Sequence, residues 1–117
     1  MKIVINQNFG GFSLSDEAFE RYLTLKGIDY ELKECNEYSI VTKIYYRKGQ
    51  NNDEGLLWDH HIERNDPILV QVVEEMGDKS DGTCASLKIV EIPNDVEWHI
   101  HEYDGREHVA ENHRTWY

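Results

Sequence analysis

Basic side chains are scarce in this sequence. Its 117 residues hold 12 lysines and arginines against 23 aspartates and glutamates, a net charge of −11 with histidine neutral. Affinity for polyanions comes mainly from cations that neutralise phosphates, so this balance excludes an ordinary DNA or RNA track and argues against docking on an anionic membrane. Cysteine is equally sparse. Cys35 and Cys84 stand apart without a C-x-x-C spacing, and they read as two reduced thiols, neither a disulfide nor a zinc pair. No apolar run reaches the roughly 18 residues of a membrane helix, and no charged-then-apolar leader opens the chain, so a soluble cytoplasmic protein is expected. A G-x-S-x-G elbow is absent, and neither cysteine has a neighbouring motif that would lower its pKa. The expectation is a non-enzyme without a cofactor.

What is present suits one domain over residues 1–117, long enough to close a core without staples. Lys2 to Asn6 is a short β-branched run, stopped by Gln7-Asn8 and Phe9-Gly10-Gly11-Phe12. Ser13 or Ser15 caps a helix whose Ala18, Phe19, Tyr22 and Leu23 form one apolar stripe, with Gly27 ending it. Tyr30 to Cys35 and Ser39 to Arg47 read as strands joined at Asn36-Glu37, followed by a polar loop over 48–53. Asn65 or Asp66 caps a second helix with Pro67 at its first position, the stripe Ile68, Leu69, Val72, Val73 and Met76, and Gly77 at its end. Ala85 to Ile92 is apolar enough to be a strand covered on both faces. Asp104-Gly105 then signals a two-residue hairpin that pairs Tyr103 with Arg106, His101 with His108 and Ile100 with Val109. Trp98, Ile100 and Val109 would face a core, and His99, His101, Tyr103, Arg106 and His108 would face away. The expected architecture is α+β: two helices packed on a mostly antiparallel sheet of about five or six strands, with a C-terminal β-hairpin.

Three features could carry chemistry. His99, His101 and His108 share one hairpin face and could converge on a metal, but no motif fixes a fourth ligand, and solvated polar-face residues are the simpler reading. The Gly-Gly loop before a helix start, with hydroxyls nearby, could receive an anion such as a phosphate. Arg64, Arg106 and Arg114 are few, yet enough for one small anionic ligand. An aromatic face beside an arginine is a usual way to hold a purine, and Trp58, Trp98, Trp116, Tyr103 and Tyr117 concentrate in the second half.

Longer strings are familiar. Met1 to Asn6 with Phe9-Gly10-Gly11-Phe12-Ser13-Leu14-Ser15, the run Asn65 to Glu75, Leu87 to Pro93, Glu102-Tyr103-Asp104-Gly105 and His113-Arg114-Thr115-Trp116 resemble small proteins of phages and prophages of Gram-positive bacteria. The chain is similar to the first described type of Thoeris anti-defence protein over nearly its whole length, apart from Tyr38 to His61. That resemblance implies a homo-oligomer, dimer-based and hexameric, in the cytoplasm of the infected host. It would bind cyclic ADP-ribose isomers made by a TIR-domain enzyme and withhold them uncleaved, with cyclic oligonucleotides held at a separate place. Carried onto the matching stretches, the resemblance implies ligand-binding roles for Phe9, Phe12, Ser13, Asn65, Tyr103, Arg106, His113 and Arg114, and no metal. Two other readings compete: an acidic phage interaction protein that mimics DNA or inhibits a host protein, and a zinc-dependent hydrolase built on the histidine face.

Overall fold

The computed structural model describes residues 1–37, 40–50 and 52–111. Within them the chain is α+β, with two helices and seven strands: β1 (Lys2–Asn6), α1 (Asp16–Leu25), β2 (Tyr30–Glu37), β3 (Ile40–Arg47), β4 (Leu56–Leu57), α2 (Pro67–Met76), β5 (Leu87–Glu91), β6 (Trp98–Tyr103) and β7 (Arg106–Glu111). Short 3₁₀ turns occupy Asp53–Gly55, Asp59–His61 and Gly77–Ser80.

Both helices begin and end on the residues that local chemistry favours. Ser15, not Ser13, caps α1 by accepting the Ala18 N–H, and past its end Gly27 adopts φ +74° while the Ile28 N–H returns to the Leu23 carbonyl at 3.0 Å. That reverse bond satisfies a carbonyl the helix would otherwise leave open. Asp66 caps α2 by accepting the Ile68 N–H at 2.8 Å, and Pro67 sits where its missing N–H costs nothing. The two apolar stripes close on β1, and Val4, Leu23, Leu69 and Val72 are almost wholly buried among them.

The single sheet of five or six strands is corrected by the structure. Every pairing is antiparallel, but the strands form three separate small sheets, β1 with β5, β2 with β3 and β4, and β6 with β7. The reason lies at the second edge of β1, where the Val4 N–H donates to the Arg64 carbonyl and the Asn6 N–H to the Glu107 carboxylate. A side chain of β7 takes the donor that a continuous ladder would use. Ala85 to Ile92 is corrected likewise: among the described residues β5 pairs only with β1, its Lys88 and Glu91 are exposed, and its apolar residues are half-buried. Asn36 and Glu37 do not make the connection, because both are paired within β2, to Val41 and Ile40.

Tyr30 and Tyr45 anchor the β2–β3 hairpin to the core through ring contacts of 5.6 Å with each other and 5.1 Å from Tyr45 to Phe19. Beyond that anchor, Glu31 to Glu34 are exposed, so the hairpin is an arm and the molecule measures 53 × 33 × 30 Å. No helix of the described residues is long and apolar enough to cross a membrane.

Candidate functional site at the hairpin turn

The two glycine-bearing turns singled out in the sequence meet each other. Asp104 and Gly105 take φ of +51° and +89°, the tight turn that suits the strand twist, and the Gly10 N–H donates to the Asp104 carbonyl at 3.3 Å. A Cβ at Gly105 would fall on the amide nitrogens of Gly10 and Gly11, so only glycine permits this approach.

Beneath the junction lies a polar anchor. Asn6 is fully buried, and its side-chain amide donates to the carbonyls of Gly105 and Asn8, both at 2.7 Å, while its oxygen accepts the Ser86 N–H at 2.9 Å. Glu107 accepts from Arg64 twice, at 2.6 and 2.9 Å, and the Arg64 guanidinium stacks 3.6 Å from the Phe12 ring centre. Such forked, stacked geometry suits arginine and not lysine. Glu102 completes the turn by accepting the Gly105 N–H at 3.0 Å.

These contacts sort the expected site residues. Phe12 is buried and spends its ring face on Arg64. Ser13 lends its carbonyl to the Gly82 N–H and packs tightly against that glycine. Phe9 is exposed in the glycine loop, and Tyr103, 77% exposed, stands directly opposite Arg106 across the turn. Arg106 makes no ion pair among the described residues. His113 and Arg114 lie outside the described residues. Arg64 is committed to Glu107, which leaves Arg106 as the available cation of the hairpin turn.

Asn65 belongs to a different surface. It is half-buried beside Met1 and lines an open groove of about 660 Å³ with Trp98, Ile100, Glu102 and Glu107. Because neighbours along a strand point to opposite faces, Tyr103 and Arg106 lie on the side away from this groove. Trp98 and Ile100, expected in a core, instead form its half-buried wall. One protomer therefore presents Asn65 and the Tyr103–Arg106 pair on opposite faces of the same hairpin.

The start of α1 does not offer an open anion cradle. The Leu14 N–H already donates to the Asp59 carboxylate at 2.9 Å, Ser15 caps the helix, and Asp16 and Glu17 fill the first turn. On the outer hairpin face the His101 and His108 rings lie 4.9 Å apart, yet no group of three or more His, Cys, Asp or Glu among the described residues is placed to hold a metal. Asn6 and Glu107 were not singled out from the sequence. Their signals were an amide closing an apolar strand, and an acid on the hairpin face that also carries Val109.

The fold and this junction define a small acidic α+β protein that displays an aromatic–arginine pair on a fixed turn. Comparison of the chain with protein-family models, with curated proteins and with solved structures finds no match.

Proposed function

We propose that the protein binds and sequesters a cyclic ADP-ribose isomer without cleaving it, withholding a defence signal in the cytoplasm of an infected bacterial host. The observation that carries this reading is the exposed Tyr103 opposite Arg106, which makes no ion pair among the described residues, on a turn whose backbone packs closely against the glycine loop that carries Phe9. An aromatic face and a guanidinium suit a purine and a diphosphate, and a rigid turn adds little ordering cost on binding. The resemblance of the glycine-loop and hairpin strings to Thoeris anti-defence proteins points the same way. The opposed placement of Asn65 and Arg106 favours a homo-oligomer, since a second copy could bring one hairpin's outer face against another's groove and enclose the ligand.

The test is thermal melting of the chain with a cyclic ADP-ribose isomer, followed by chromatography of the ligand released by heat. A ligand that binds only the folded state raises the midpoint with concentration. Intact ligand at full recovery is the expected result. Cleaved ligand, or a midpoint that ignores the ligand, overturns the reading.

A further inference from the structure

The arm formed by β2 and β3 carries an edge that is complementary to itself. Among the described residues β2 pairs only with β3, and its exposed run from Glu31 to Glu34 includes a Leu32 that is 42% exposed. One step beyond the first paired residues, Tyr30 and Arg47, the Lys48 N–H donates to the Asp29 carbonyl at 3.0 Å, and the register runs unbroken from there. Antiparallel strands alternate in the side to which their backbone groups turn, so the odd-numbered residues of β2 bond to β3. Tyr30, Leu32, Glu34 and Asn36 therefore direct their N–H and C=O groups outward. Leu32 stands opposite Tyr45 across the arm, on the face that Tyr30 and Tyr45 present to the core. Lys33 forms no ion pair among the described residues, Glu31 accepts the Gly49 N–H at 3.2 Å, and Glu34 has Lys43 directly opposite.

We propose that this edge binds the same edge of a second copy of the chain, antiparallel about a two-fold axis through Leu32. An axis perpendicular to the sheet sets one residue against its own copy. With Leu32 there, the two Leu32 residues exchange their N–H and C=O bonds, Glu31 faces Lys33 of the second copy, Lys33 faces its Glu31, and Tyr30 faces its Glu34. The crossed Glu31 and Lys33 pairs fall at positions without a backbone bond, where cross-strand side chains approach most closely. An axis at Glu31, Lys33 or Glu34 sets like charges face to face. An axis at Cys35 avoids that, but it takes Leu32 three residues from the centre and leaves Glu31 and Lys33 unmatched to each other. An unrelated strand lacks this order of charges, so the charges that turn other strands away admit this one alignment. The product is closed, because each outer end of the joined sheet is the two-residue β4, too short to recruit a third copy. No residue of the hairpin turn takes part, so the pairing stands or falls apart from the sequestration reading.

Analytical ultracentrifugation of the full chain, from about 1 μM to about 1 mM, tests the pairing. Reversible self-association is expected in the parent. Lys33→Glu and Glu31→Lys each set two like-charge pairs across the axis, and each should weaken that association about tenfold or more. Mixed in equal amounts, the two variants should associate with each other as tightly as the parent does with itself, because every charge again meets its opposite. A parent that stays monomeric up to about 1 mM leaves the edge to some other partner and overturns the proposal. So does either variant associating as the parent does, the result that an axis at Cys35 would give for Glu31→Lys. A mixture that associates no better than its components overturns it as well.

Discussion

Arg64 grips Glu107 through both terminal nitrogens, at 2.6 and 2.9 Å, and the carboxylate so held also accepts the Asn6 N–H of the central strand. One ion pair thus fastens the last hairpin to β1 and ends the sheet at that edge. Both partners are largely buried, with side-chain exposures of 17% and 7%.

Replacing Glu107 by alanine should therefore cost about 3 kcal/mol, because it strands a buried guanidinium and a backbone donor. Urea unfolding gives the total. Hydrogen exchange should show the loss first at amides of β6 and β7, with those of α2 following only at the global limit. Equal acceleration throughout would contradict a local anchor.

Gly105→Ala should lower stability by about 1–3 kcal/mol, since the turn needs positive φ and the new Cβ meets two amide nitrogens. The thermal midpoint is the measurement. Gly49→Ala is the comparison, with the same sign of φ but open space around it, and it should cost less.

Asp66 joins the helices: besides capping α2, it accepts from the Tyr22 hydroxyl at 2.8 Å and pairs with Lys26 at 2.9 Å. Burial alone would raise its carboxyl, but hydrogen bonds from Lys26, Tyr22 and the Ile68 N–H outweigh it and hold the pKa below the usual range. The ionised form then adds stability above the unfolded value of about 3.9, and the contribution fades as pH falls through the lower folded value. Asp66→Asn should lose about 1–3 kcal/mol at neutral pH and show a shallower acid limb in melts from about pH 2 to pH 7.

Tyr103→Ala and Arg106→Ala test the proposed site without disturbing the fold. Each should weaken binding of a cyclic ADP-ribose isomer about tenfold or more by calorimetry, and each should shift stability by no more than about 0.5 kcal/mol. Phe12→Ala should do the reverse, losing stability mainly through the packing of Arg64.

Which of this was legible in the sequence follows from distance along the chain. Ser15, Asp66, Pro67 and the glycines past each helix act within a turn of themselves, so the helices could be placed. Asp104-Gly105 fixed the hairpin register for the same reason, including Tyr103 opposite Arg106. The division of the sheet could not be read, because it depends on a carboxylate 101 residues from the amide it caps. Phe12 was expected to meet a ligand, and no local pattern foretold that Arg64 would cover it. The separation of Asn65 from Arg106 arises from how the hairpin docks. The aromatic richness of β3 was visible, while the burial of Tyr45 against Phe19 emerges only when α1 closes over it.

The projecting arm has one more consequence. Among the described residues β2 pairs only with β3, so the arm carries an unpaired strand edge and a Leu32 that is 42% exposed, the kind of surface on which copies of a chain stack into insoluble ribbons. Glu31, Lys33 and Glu34 line that edge in mixed sign. A passing strand of matching shape would have to strip water from those charges to pair there. The mixed charges of the arm thus act as its gatekeepers against aggregation.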